Sequence, residues 1–166
     1  MLSQIGFFVV HCHLNNMEIQ NLKFVRRPSP LNPEYRPLYK ISLLLLILKI
    51  ASRGNTSSLL KLHFFSWMIK TREGRQTLTT IVQNETPQLP IFNIEPSLNQ
   101  ALLYMLAEGL IIREKDNYSI TQKGEILVNE LIANEESFIK EKSFLKVIGK
   151  KFTESKVDEM LNRLNK

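Results

Sequence analysis

The chain has 166 residues, with 22 Lys+Arg against 16 Asp+Glu and a formal net charge of +6. A chain of this length buries about two-thirds of its unfolded surface, so it holds a core without disulfides or metals. A lone cysteine, Cys12, excludes an internal disulfide and a Cys-rich zinc module, and 43% hydrophobic with 23% charged residues excludes wholesale disorder. The apolar run Ile5–Val10 is six residues long, with no preceding Lys or Arg and no cleavage site, so it does not read as a signal peptide. Together with the single cysteine, this gives the expectation of a cytoplasmic protein with no membrane segment.

In chain order, residues 1–16 precede a second methionine, Met17, and read either as an upstream extension or as a first strand. Residues 17–37 form an extended arm. Its segment RRPSPLNPEYRP carries four prolines and three arginines, and residues before proline avoid the helical region. That arm either straps onto its own domain or meets a partner. A helix is expected over Leu38–Ser52, stopped at Gly54, and its run Leu43–Leu48 is apolar on every side and therefore buried in protein. Asn55-Thr56-Ser57 offer caps for a second helix over Ser58–Lys70, and a third follows over Gly74–Asn84. Thr86–Pro96, with three prolines around Ile91-Phe92-Asn93-Ile94, reads as a loop with a short strand.

The most legible stretch comes next. Ser97 caps a helix over Leu98–Glu108, which Gly109 ends. Leu110–Arg113 is a strand, Lys115–Asn117 a tight turn, Tyr118–Ile120 a returning strand, and Thr121 caps a helix reaching Ala133. Residues 38–133 thus read as a winged-helix-like domain, mainly α with a small β-hairpin wing. Residues 134–166 add a C-terminal helical appendage of two helices.

Charge is unevenly spread. Residues 1–86 hold 11 Lys+Arg against 4 Asp+Glu, whereas residues 97–133 hold 3 against 5. The helix before the wing has no Lys or Arg for phosphates or base edges, which disfavours sequence-specific DNA reading through it. Arg53, Lys61, Lys70, Arg72 and Arg75 are the candidates for non-specific nucleic-acid contact, or else a solvated basic face.

Catalytic chemistry is missing from the pattern. His11 and His13 flank Cys12, but only His63 remains as another histidine, too few for a metal site. No phosphate-cradling glycine loop and no G-x-S-x-G occur, so neither cofactor nor enzyme is expected. The cluster Leu62-His63-Phe64-Phe65-Ser66-Trp67 packs aromatics at consecutive helical positions. Not all of them can face one core, so some must meet the tail helices or a partner.

The order of a Pro/Arg-rich arm, Arg36-Pro37-Leu38-Tyr39-Lys40, an aliphatic helix, Lys61–Met68 and a Gly-Leu-Ile…Tyr-Ser-Ile-Thr-Gln-Lys-Gly wing resembles the middle-component family of ABC three-component systems. These proteins accompany an SMC-like (Rad50-like) ATPase and an effector in Lamassu-type defence against phages and plasmids. The resemblance covers roughly residues 24–131. It implies a non-enzymatic accessory subunit that binds the ATPase heads and couples them to an effector such as a nuclease; the basic residues named above add the expectation of non-specific DNA contact within the complex. Tyr35, Arg36, Phe65, Trp67 and Tyr118 are the candidate partner contacts, with core packing the competing role for the last three. The alternative is a winged-helix transcriptional regulator that binds DNA.

Overall fold

A computed structural model describes residues 36–85, 87 and 94–164. They fall within a compact unit spanning Leu31–Lys166. The expectations for residues 1–35, for the strand near Ile91–Ile94 and for His11, Cys12 and His13 lie outside the described residues, apart from Ile94 itself.

The architecture grows from one buried helix. α1 runs over Pro37–Leu46, with Pro37 at its first position, and continues through a wide π-helical turn over Ile47–Ala51. Proline fits there because its missing N–H would be an orphan anyway. Leu43 to Leu48 are all at most 1% exposed, which is the burial on every side that an unbroken aliphatic run demands. Ser52 donates its hydroxyl to the Ile47 carbonyl and so satisfies a backbone group in the irregular turn.

The chain then reverses through Arg53–Asn55 into β1, Thr56–Ser58. This corrects the reading of Asn55-Thr56-Ser57 as helix caps alone. Thr56 and Ser57 lie opposite Ser119 and Tyr118 in an antiparallel ladder, and only Ser58 caps the following helix, accepting from the Lys61 N–H. Three small polar residues carry no periodic signal of their own. Their strand forms against the edge that the strand Asn117–Ile120 offers.

α2 covers Leu59–Met68 and α3 Arg72–Val82; α4 covers Pro96–Ala107. Here too a cap differs from expectation. Glu95 precedes α4 and Pro96 opens it, while Ser97 sits in the first turn and donates to a Glu95 carboxylate oxygen at 2.8 Å. A hairpin follows as β2, Ile111–Glu114, and β3, Asn117–Ile120, turning at Lys115-Asp116. The three strands form one antiparallel sheet in the order β1-β3-β2. α5 spans Gln122–Ala133, α6 Ile139–Ile148 and α7 Glu154–Leu164. The fold is therefore mainly helical with a small three-stranded antiparallel sheet.

Two helix starts share one device. Thr71 and Thr121 each accept the N–H of the glycine three residues on, at 3.0 and 3.1 Å. A Cβ on Gly74 would strike the Met68 carbonyl, and one on Gly124 the Leu110 carbonyl. Only glycine lets these first turns lie directly on neighbouring backbone.

The last two helices are part of the same core. Leu145, Ile148, Phe152, Val157 and Met160 are buried in it, and the Phe152 ring meets Phe65 edge-on with centroids 5.1 Å apart. Tail side chains also sit on helix ends. Lys142 donates to the Leu131 and Asn134 carbonyls at the end of α5, and Lys156 to the Ile81 carbonyl at the end of α3. Glu154 accepts from the Ser58 N–H and hydroxyl at the start of α2. Cations at C-termini and an anion at an N-terminus each oppose the local helix dipole.

Candidate functional site

The most polar interior feature joins α1, α2 and the start of α4. The Lys40 ammonium, 1% exposed, lies 2.7 and 2.8 Å from the two oxygens of Glu95. Lys70 reaches the same carboxylate at 2.7 Å, and Lys40 also donates to Ser66. His63 completes the cluster, with Nε2 3.0 Å from Asn99 Oδ1 and Nδ1 accepting the Glu95 N–H at 3.5 Å.

Electrostatics follow from that geometry. Burial pulls the Lys40 ammonium down to about 8, against the attraction of Glu95. Burial alone would raise the Glu95 carboxyl, but hydrogen bonds from Lys40, Lys70 and Ser97 outweigh it and hold the group at about 2. Burial also lowers the His63 imidazole, opposed by the Asn99 hydrogen bond and the Glu95 charge. The cluster fixes the N-terminus of α4 to two other helices. It presents no open reactive group.

The predicted partner contacts separate. Tyr35 lies outside the described residues and Arg36 is exposed. Phe65 is wholly buried against Phe152, so it is a core residue, and its place among the contacts is corrected. Trp67 is half-buried against the core. Tyr118 is 6% exposed, with the Arg113 guanidinium 5.7 Å above its ring.

The predicted nucleic-acid set separates as well. Lys61 is buried, 3.7 Å from Glu154, and burial lowers its ammonium despite that neighbour. Lys70 is held by Glu95, and Arg75 donates to the Ile69 and Lys70 carbonyls. Charges tied to internal partners make poor phosphate contacts, so Lys61, Lys70 and Arg75 drop back to structural roles. Arg53 and Arg72 remain exposed.

What the sequence reading passed over is the outward face of α4. Asn99, Gln100, Leu103, Tyr104 and Ala107 are all exposed at helical spacing, Leu103 to 59% and Tyr104 to 45%. None of the five is charged. The inward residues Leu98, Ala101, Leu102 and Met105 account for the core packing, so Leu103 and Tyr104 are surplus to it. That surplus was available in the sequence, since leucine and tyrosine recur off the buried stripe.

Among the described residues, no group of three His, Cys, Asp or Glu is placed to hold a metal ion, and no helix is long and apolar enough to cross a membrane. Comparison with family models, curated proteins and solved structures finds no match to this chain.

Proposed function

We propose that this chain is a non-enzymatic accessory subunit that docks on an SMC-like ATPase and couples it to an effector such as a nuclease in an anti-phage or anti-plasmid complex. The observation that carries the reading is the uncharged face of α4. In a winged-helix module this helix precedes the wing and is the one offered to a partner. The order helix, strand, helices, hairpin and the strand order β1-β3-β2 support that module. A DNA-reading helix needs Arg, Lys or paired amides aimed at base edges and cations for phosphates. α4 carries no Arg or Lys, and of its exposed amides Asn99 is engaged by His63, which leaves Gln100 beside Leu103, Tyr104 and Ala107, a set that suits an apolar protein surface.

Protein interfaces draw most of their energy from a few anchors, and tyrosine is among the commonest. Leu103 and Tyr104 supply them here, and the arm, through Tyr35 and Arg36, supplies further contact area toward the roughly 1,600 Å² of a standard interface. The test is whether a neighbouring gene encodes an SMC-like ATPase and whether the full chain co-purifies with that ATPase. Leu103→Asp with Tyr104→Asp should abolish co-purification, and Tyr35→Ala with Arg36→Ala should weaken it, each without lowering the melting temperature. A wild-type chain that ignores the ATPase, or that binds one operator at about 10⁻⁸ M in physiological salt, overturns the reading in favour of the regulator.

A further inference from the structure

α6 turns a second, different face to solvent. Lys140, Ser143, Lys146, Val147 and Lys150 are exposed at three- and four-residue spacing along α6 and the turn after it, with Lys151 beside them. Its one acid, Glu141, is turned to α1, where it accepts the Tyr39 hydroxyl at 3.0 Å. Lys142 is turned inward to cap α5. The outward side of this element therefore carries lysines and no carboxylate.

Each end of α6 borders a hollow with one further exposed cation, Arg72 at one and Arg53 at the other. One, of about 420 Å³, lies between α3 and α6 and is lined by Arg72, Arg75, Gln76, Lys140 and the ring of Phe144. The other, of about 350 Å³, is lined by Arg53, Lys61, Lys150, Ser155 and Glu154, whose carboxylate is engaged by Ser58. The ten residues of α6 span about 15 Å, over which duplex DNA presents roughly nine phosphate charges.

The geometry points to a nucleic-acid backbone track along α6, in which Lys140, Lys146, Lys150 and Lys151, extended by Arg72 and Arg53, bind the phosphates of duplex DNA without reading its sequence. The inference is independent of the α4 docking reading and uses a different helix. It also replaces the set expected from sequence, of which Lys61, Lys70 and Arg75 are engaged internally. Lysine suits the task because it acts as a point charge and does not impose a bidentate base geometry. An anionic membrane fits less well. The exposed apolar groups of α6 are only Ile139 and Val147, with no exposed aromatic, and its cations border hollows.

Fluorescence anisotropy with the full chain and a labelled duplex of about 30 bp, between about 50 and 200 mM salt, tests this. Wild type should bind an arbitrary sequence and its scrambled copy equally, and weaken steeply with salt. Lys140→Ala/Lys146→Ala/Lys150→Ala should lower the slope of log K against log salt by about two to three and weaken binding at least tenfold at the lowest salt, since each lost phosphate contact removes about 0.9 from the slope. Arg113→Ala/Lys115→Ala/Lys123→Ala, an equal loss of exposed charge on the hairpin and α5, should keep the wild-type slope. If the triple variant melts early, Lys146→Ala and Lys150→Ala singly should each lower the slope by about one. The inference fails if the two triples weaken binding alike, if the α6 variants keep the full slope, or if no duplex binds at the lowest salt. It also fails if vesicles containing phosphatidylserine take up the chain while duplex does not. Leu103→Asp should leave DNA binding unchanged, so the two readings fail separately.

Discussion

α4 and α6 both pack against the central helix α1, α6 mostly along its π-helical extension, yet their outer faces differ in chemistry. α4 is held at its start by the buried Lys40 and the partly buried Lys70 and Glu95, and shows solvent a neutral face with Leu103 and Tyr104. α6 is held by apolar and aromatic contacts. Leu145 and Ile148 enter the core, and Phe138 at its start stacks on Tyr39 with centroids 5.2 Å apart; its outer face carries the lysines. A neutral outer face on one helix and a lysine-bearing outer face on the other give the molecule two surfaces of different chemistry. Net charge alone, at +6, would have suggested one diffuse basic surface.

The largest expected effects test the two anchors. Glu95→Gln leaves Lys40 buried beside Lys70 with no anion, and breaking a buried pair by removing one partner costs about 3–5 kcal/mol. Lys40→Met should cost clearly less, because Lys70 still neutralises Glu95 and the replacement packs. Denaturant unfolding of both variants settles the order, and equal losses would mean the cluster is not what holds α4. On the other side, Phe152→Ala opens a cavity against Phe65 and should cost about 3–5 kcal/mol.

pH then separates the anchors. His63, lowered in the folded state, binds fewer protons there than when unfolded, so stability falls as pH drops below about 6.5. The depressed Glu95 adds stability that is fully present above about 4.5 and is lost as pH falls toward 2. The cost of Glu95→Gln should therefore shrink across that lower window, while the cost of Phe152→Ala stays flat. Acid titration of the two variants, followed by denaturant melts, checks this; parallel curves would break the contrast.

Smaller effects are expected where α5 meets the hairpin. Gly124→Ala must push its new methyl into the Leu110 carbonyl and should cost about 1–3 kcal/mol, as overpacking generally does. Smallest of all are the outward faces. Leu103→Asp and Lys146→Ala should each change stability by no more than about 0.5 kcal/mol, because neither residue is needed inside. A large loss for Leu103→Asp in thermal denaturation would mean that its side chain is a folding contact and the α4 face is not free to dock.

Local signals in the sequence were enough for much of this. The unbroken Leu43–Leu48 run marks a segment buried on every side, and Gly109, the Lys115-Asp116 turn and Thr121 punctuate the hairpin as short-range backbone chemistry requires. The pairing of Thr71 with Gly74 and of Thr121 with Gly124 was written there too, as a threonine three residues before a glycine. Tertiary structure decided the rest, because those features depend on what lies across the fold. β1 exists only because β3 offers it an edge. Lys61 and Lys70 look like surface cations until Glu154 and Glu95 arrive from 93 and 25 residues away in sequence. Whether a charge faces solvent or a buried partner is a property of the packing, and periodicity along one chain cannot state it.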